Sequence, residues 1–278
     1  MESIKLVQKL SSVLLKENYD NPVQVIEELI SFHMKCSCLE IYSKKIINLE
    51  KINDDFQRLL KKEPIQYIIG DVNFYGNTFK CDQRALIPRP ETEILVETAI
   101  QSASWKKDKI SVLEIGTGTG CISISLAKSH EKILIDSIDI SSDALVLAEE
   151  NVLINKVNQP INFIHTNFLH FETDMTYDVI ISNPPYISQN EWENVDPSVK
   201  NYEPKLALLG GIEGTEFINQ LIIKSTKLLK KGGEIFLEVG YDQANKVKEL
   251  LSLNGFKLIN IKNDLNNIPR ILSATYEK

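Results

Sequence analysis

Four short stretches carry residue types that can do chemistry. Gly116-Thr117-Gly118-Thr119-Gly120 is a glycine-rich turn of the kind that lets backbone approach a ligand at a helix N-terminus. Its spacing is GxGxG. Cys121 stands where a dinucleotide fingerprint has its third glycine, and no Lys-Ser/Thr pair follows to make a phosphate-binding loop. Alone, the turn points to a nucleoside-like ligand. Asp139 follows the first of these glycines at the distance, about 20 residues, where an acidic side chain accepts ribose hydroxyls; Ser141, Ser142 and Asp143 beside it can cap the next helix instead. His165-Thr166-Asn167-Phe168 offers an amide and an aromatic face suited to an adenine ring, although Phe168 is equally a core residue by type. The fourth stretch, Ser182-Asn183-Pro184-Pro185-Tyr186, is the most informative. Two prolines remove two backbone donors and fix a rigid turn whose carbonyls only accept. The Asn183 side-chain oxygen and a proline carbonyl can together hold both hydrogens of one planar NH₂ group, with Tyr186 stacked on the π-system that bears it. Such a nitrogen is a poor nucleophile because its lone pair is delocalised. Accepting both hydrogens in fixed geometry returns electron density to it, a preorganised electrostatic effect.

These stretches need elements to place them. From Ile110 onward the pattern alternates strands (110–115, 133–140, 161–165, 177–182, 234–239, 256–262 and 270–276) with helices (about 120–129, 142–155, 213–230 and 241–253). That alternation predicts a mostly parallel sheet covered on both faces, and in such sheets ligands bind beyond the carboxyl ends of the strands. Each of the four stretches lies at the carboxyl end of a strand. A helix starts near Glu91. The first sixty residues show helical spacing throughout: Leu6, Leu10, Val13 and Leu14 on one face, Asn21-Pro22 opening a second helix, Ser37 to Glu40 with capping-box spacing, and a last helix stopped by Pro64. Between the two regions, residues 66–81 predict a β-hairpin turning at Gly76-Asn77. The expected domains are therefore a helical bundle over 1–64, a hairpin linker over 65–85 and an α/β domain over 86–278.

Composition excludes several classes. Apolar residues make up 43% and charged ones 25%, ordinary globular usage. No apolar run reaches the roughly 18 residues of a membrane span, and the N-terminus has neither the apolar core of a secretory signal nor the arginines of a transit peptide. A soluble, cytoplasmic protein is expected. The formal charge is −7; residues 1–85 are neutral, so the imbalance falls in residues 86–278. Neither part has the basic excess of a protein that draws its affinity from nucleic-acid phosphates. Arginine is confined to Arg58, Arg84, Arg89 and Arg270 in a lysine-rich chain. Cys36, Cys38, Cys81 and Cys121 show no second ligand cluster for zinc and are expected to be buried thiols of a reducing compartment.

Taken in order, these residues resemble the class I S-adenosylmethionine-dependent methyltransferases that act on planar amino groups, and among them the release factor glutamine methyltransferases of the HemK/PrmC family. LIPRPETEILVE (86–97), IDISSDAL (138–145), NYEPKLALLGG (201–211) and GGEIFLEVGYDQ (232–243) carry the narrower likeness, which spans nearly the whole chain. The Asn-Pro-Pro-Tyr tetrapeptide alone is shared with adenine-specific DNA methyltransferases. The resemblance implies a Rossmann-like seven-stranded sheet preceded by a small helical bundle and a hairpin connector. It implies that Gly116, Thr117, Gly118, Thr119 and Gly120 wrap the methionine and ribose part of S-adenosylmethionine, that Asp139 holds the ribose, and that Phe168 lies on the adenine where many relatives have tryptophan. It also places Asn167 where an acidic residue often stands. The resemblance further implies that Asn183 contacts both cofactor and substrate, that Asn183, Pro184, Pro185 and Tyr186 receive the substrate, and that Asn183, Pro184 and Tyr186 are the catalytic set. Arg89, Glu91 and Thr92 fall close by, and Asn266 to Arg270 lacks the glycine usual before that arginine. The implied reaction methylates the side-chain amide of the glutamine in the Gly-Gly-Gln motif of class 1 peptide chain release factors. It needs no metal, and no direct nucleic-acid partner is expected. Three other readings stand beside it: a nucleic-acid adenine methyltransferase, a nicotinamide-dependent oxidoreductase, and a binding module that keeps the fold without turnover.

Overall fold

The computed structural model describes residues 3–43 and 49–277. The chain divides into two compact units, Met1–Asp71 with Asp196–Tyr202, and Val72–Val195 with Glu203–Lys278. In the first unit, helical spacing of apolar residues draws α1 (Ser3–Lys16), α2 (Pro22–Met34), α3 (Leu49–Leu60) and the short α4 (Ile65–Ile69) onto one core. Leu6, Leu10, Leu14, Ile26, Leu29, Ile30, Ile52, Phe56 and Leu59 form it, with Val13 at its edge. Pro22 opens α2 as its type predicts, but Asn21 caps through a left-handed backbone (φ 49°), without a side-chain bond. Ser37 and Glu40 do exchange capping bonds, Ser37 N–H to the Glu40 carboxylate at 2.9 Å and Glu40 N–H to Ser37 Oγ at 3.4 Å. The element they open is a single 3₁₀ turn, Glu40–Ser43; the helical pattern at 44–48 lies outside the described residues.

The hairpin is shorter than its aromatic content predicts. β1 (Asp71–Phe74) and β2 (Asn77–Lys80) are joined by Tyr75 (φ 46°) and Gly76 (φ 72°). Two left-handed residues are what a two-residue hairpin turn matched to strand twist requires, and they put the turn one residue before Gly76-Asn77. Residues 65–69 form α4 instead of a strand: Pro64 precedes the helix, and Ile65 and Ile68, three apart, both face inward. The hairpin buries Phe74 and Phe79 in the second unit's core.

The rest of that unit runs α5 (Pro90–Ile100), β3 (Ile110–Ile115), α6 (Cys121–Ser129), β4 (Ile133–Asp139), α7 (Ser142–Ile154), β5 (Ile161–His165) and β6 (Tyr177–Ser182). After these come β7 (Ile187–Ser188), α8 (Gln189–Trp192), α9 (Pro197–Tyr202, whose residues belong to the first unit), β8 (Leu209–Gly211), α10 (Glu216–Leu228) and β9 (Leu229–Glu238). α11 (Ala244–Leu253), β10 (Phe256–Asn263) and β11 (Pro269–Tyr276) complete the chain. The seven-stranded sheet has the order β10-β11-β9-β6-β3-β4-β5. β9, β6, β3, β4 and β5 are parallel, and β11 is antiparallel to both its neighbours. Every residue of β3 and β6 is buried, as expected of central strands covered on both faces. Alternate side chains divide between two cores: Leu113, Ile115, Ile180, Ile235 and Leu237 on one face, Val112, Val179, Ile181 and Phe236 on the other. From β3 the chain builds outward to β5, then crosses back to lay β6 on the other side of β3. The reversal puts the ligand crevice at the carboxyl ends of β3 and β6.

Residues 187–200 contain β7, α8 and part of α9. Ser188 and Glu191 close a capping box on α8, from a Ser-x-x-Glu spacing present in the sequence. The thiols also differ from expectation. Cys81 and Cys121 are buried, whereas Cys36 and Cys38 are only partly so. Among the described residues no helix is long and apolar enough to cross a membrane.

Candidate active site

β3 delivers its chain straight into the glycine turn. Gly116, Gly118 and Gly120 all have left-handed backbones (φ 82°, 55° and 79°), a conformation that residues with a Cβ rarely hold. Gly120 is required twice over, because a Cβ there would lie 3.0 Å from that of Ala148 as α6 and α7 pass. The turn is pinned from two sides. The Asp139 carboxylate, at the end of β4, accepts Gly118 N–H at 2.8 Å and Ser141 N–H at 2.9 Å. The fully buried Asn151 side chain accepts Lys80 N–H at 2.6 Å and donates to the Lys80 and Thr119 carbonyls. Ser141, not Asp139, caps α7 through its hydroxyl. Burial pushes the Asp139 carboxyl up from its ordinary value against the pull of its backbone hydrogen bonds. Beneath the turn, Thr117 and Ser137 hydroxyls meet at 2.8 Å and Ser137 donates to Glu114. Glu114 is completely buried, and desolvation raises its carboxyl to about 8.

β6 ends beside β3, with the Ser182 hydroxyl donating to the Ile115 carbonyl at 2.7 Å. The Asn183 backbone carbonyl lies 3.8 Å from where a Gly116 Cβ would stand, so the two strand ends form adjoining walls. Asn183 Nδ2 donates to Thr92 Oγ1 at 3.0 Å, and Thr92 Oγ1 donates to Glu238 Oε2 at 2.7 Å. The next turn of chain is wedged by glycines. A Cβ on Gly210 would come within 2.5 Å of the Pro185 carbonyl oxygen, and one on Gly214 within 2.4 Å of the Tyr186 carbonyl oxygen. Gln243 completes the wedge: its amide donates to the Tyr186 carbonyl at 2.8 Å and accepts from Gly240 N–H at 3.0 Å.

A cavity of about 390 Å³ opens between these walls. Gly116, Thr117, Gly118, Thr119, Asp139, Asn167, Phe168, Asn183, Pro184 and Pro185 line it, together with Arg89, Thr92 and the apolar Ile140, Leu169 and Leu206. The structure thus brings most of the sequence-predicted set to one surface. Gly120 and Tyr186 stand off that surface: Gly120 opens α6, and the Tyr186 ring packs against the core. Phe168 is both wall and core, 3% exposed, with Lys224 Nζ 5.2 Å from its ring centre. Asn167 uses its oxygen to accept Leu169 N–H at 2.9 Å. The thiol of Cys121, also in the wall, is pushed to about 12 by burial, which leaves it unsuited to nucleophilic work.

Four supports carried no signal of their own in the sequence. Glu203 accepts from Arg89 at 2.5 Å and from Ile87 N–H at 3.1 Å, tying down the 87–89 segment. Glu238 acts on Asn183 through Thr92, and Gln243 and the Gly210–Gly214 wedge hold Pro185 and Tyr186. Glu203, Gly210, Glu238 and Gln243 fall in segments that the family resemblance singled out and Gly214 lies just beyond one, yet a carboxylate more than a hundred residues from its partner leaves no local pattern. The departure at Asn266–Arg270 is absorbed locally: Asn267 is left-handed (φ 62°), and Asp264 accepts Asn266 and Ile268 N–H at 2.8 and 2.9 Å.

Comparison with known proteins agrees with this architecture. Residues 5–70 match the family model of the PrmC N-terminal domain, and residues 90–197 that of the methyltransferase small domain. A release factor glutamine methyltransferase of Fusobacterium nucleatum is 36% identical, covering 98% of this chain and 78% of its own. One of Lactococcus lactis is 39% identical, covering 86% and 88% respectively. The crystal structure of a methyltransferase from Pyrococcus furiosus superposes with a TM-score of 0.55 at 18% identity, over 81% of this chain and 99% of that one, and so shares its fold. The chain belongs to the family of release factor glutamine methyltransferases.

Proposed function

We propose that the chain transfers a methyl group from S-adenosylmethionine to the side-chain amide nitrogen of the glutamine in the Gly-Gly-Gln motif of class 1 peptide chain release factors, and so supports translation termination. The observation that carries this reading is the orientation of Asn183. Thr92 has one hydroxyl hydrogen, and it goes to Glu238. Its oxygen is therefore an acceptor toward Asn183, which commits the Asn183 NH₂ to Thr92 and leaves Oδ1 as an acceptor at the cavity wall. An acceptor there, beside proline carbonyls, suits a substrate that presents an NH₂ group.

The cavity wall fits the cofactor. Bare glycine backbone at 116 and 118 lets a ligand lie close, Asp139 keeps lone pairs free for hydroxyls after accepting two backbone N–H groups, and Ile140, Phe168 and Leu169 supply an apolar slot. When bound, S-adenosylmethionine supplies a methyl carbon on a sulfonium centre, with a neutral thioether as leaving group. Asn183 Oδ1 and the Pro184 carbonyl hold the two amide hydrogens and turn the nitrogen lone pair out of its π-system. The nitrogen–carbon bond would form as the carbon–sulfur bond breaks, and one amide hydrogen would then pass as a proton to solvent water. The neutral N-terminal unit serves to dock a folded protein partner in the cytoplasm.

The test is to incubate the purified chain with a release factor and S-adenosylmethionine and map the product by mass spectrometry. One added methyl on the Gly-Gly-Gln glutamine is expected. Methylation confined to any other residue contradicts the proposal.

A further inference from the structure

The register of the sheet sets the end of β9 beside the end of β6, with Ser182 opposite Leu237, so Glu238 and Asn183 leave adjacent parallel strands together. Thr92, in the first turn of α5, bridges them. Thr92 and Glu238 are 2% and 1% exposed, so no solvent competes for these bonds. A carboxylate can only accept, whereas a carboxylic acid can also donate. We propose that Glu238, acting through Thr92, is a positioning residue that dictates which end of the Asn183 amide faces the cavity, and that only its ionised form holds the acceptor end there.

The logic is directional. With Glu238 ionised, the Thr92 hydroxyl must donate to it, Thr92 must accept from Asn183 Nδ2, and Asn183 Oδ1 faces outward. With Glu238 protonated, its O–H can donate to Thr92, which frees the Thr92 hydrogen to donate toward Asn183. The Asn183 amide can then reverse, presenting N–H to the N–H of an incoming amide. Asn183, with no charge of its own, thereby inherits the titration of a carboxyl two hydrogen bonds away. Burial pushes that carboxyl to about 7; Thr92 and the Arg270 and Arg89 guanidiniums pull it down, and Glu91 pushes it up. Tyr186 and Cys121 face the same carboxylate, and both are neutral in this range because their own groups are raised.

This inference rests on the proposed transfer to a glutamine amide, and its test separates the two. The pH dependence of kcat/KM on a release factor is measured for the wild-type chain and for E238Q, T92V and T92S, with S-adenosylmethionine affinity by calorimetry. In parallel, the Glu238 carboxyl is titrated in the free wild-type protein by ¹³C NMR, assigned with E238Q. Wild type is expected to lose activity tenfold per pH unit below a midpoint near the NMR value. E238Q and T92V are expected to lose about 10- to 100-fold and to lack that limb, with cofactor affinity unchanged. T92S keeps the hydroxyl and is expected to stay within a few-fold of wild type, limb included. A carboxyl titrating in the ordinary range, or an E238Q profile with the wild-type limb, overturns the relay. A purely structural bond would lower thermal stability and leave the limb in place, which also overturns it. If the wild-type chain does not methylate the factor at any pH, the proposed function falls; the NMR midpoint still decides whether Glu238 titrates near neutrality, and a midpoint in the ordinary range overturns the relay on its own.

Discussion

At the scale of single residues, the site depends on groups whose partners leave them one remaining task. Asp139 takes Gly118 and Ser141 N–H and has lone pairs left for a ligand. Asp139→Ala is expected to weaken S-adenosylmethionine binding by about 10- to 100-fold, from the lost charge-assisted bonds and from release of the turn. Calorimetry measures it, and unchanged affinity would move the nucleoside elsewhere. Asn183 gives its NH₂ to Thr92, which leaves its oxygen as the acceptor in the proposed transfer. Asn183→Ala is expected to cut kcat by about 100- to 1,000-fold, the scale of one preorganised electrostatic group, and to leave affinity for the release factor near wild type. Turnover that survives this change would remove the clamp role. Asp139 and Asn183 were legible in the sequence because each lies at the carboxyl end of a strand and its type names its chemistry. The link from Thr92 to Glu238 was not, since hydroxyl and carboxylate meet only when α5 packs against β9.

The elements explain why the turn after β6 is rigid. Prolines fix two of its residues from within, and Gly210, Gly214 and Gln243 fix it from without. Gly210→Ala would drive a methyl group to 2.5 Å from the Pro185 carbonyl oxygen, closer than real contacts allow, so the Pro185–Tyr186 backbone must shift. The expected outcome is a loss of about 1–3 kcal/mol in stability together with a fall in kcat at unchanged cofactor affinity, read by denaturant unfolding and steady-state kinetics. Unaltered kcat would mean that the wedge only fills space. The strands and long helices were legible because apolar periodicity and β-branched runs report directly on a doubly covered sheet. The exceptions have physical causes. Residues 65–69 carry strand-like side chains but follow Pro64 and bury at a spacing of three. β9 begins at Leu229, before its predicted start, because Gly232 and Gly233 bend through a shift in register with β6 that interrupts the pattern.

At the scale of the whole molecule, burying Glu114 under the glycine turn costs stability in a pH-dependent way. Its ordinary value of 4.5 is raised to about 8 in the fold. Below pH 4.5 the group is neutral in both folded and unfolded chains and contributes no penalty. Between 4.5 and 8 the unfolded chain ionises and the folded chain holds its proton, so stability falls as pH rises; above 8 the penalty is constant. Glu114→Gln removes the ionisation and keeps an acceptor for Ser137. It is expected to match wild type near pH 4 and to exceed it by a few kcal/mol above pH 8, measured by urea unfolding across that range. A difference independent of pH would show that Glu114 is ionised in the fold. The same scale joins the family membership to the chemistry: a seven-stranded sheet places the bare glycine turn, Asp139 and the Asn183 acceptor around one cavity.

The central claim is tested most directly by labelled methyl transfer from S-adenosylmethionine to three acceptors: an intact release factor, the same factor with its Gly-Gly-Gln glutamine replaced by alanine, and duplex DNA. The account predicts label on the intact factor alone. Label on DNA, or on the alanine-substituted factor as fast as on the intact one, would contradict it.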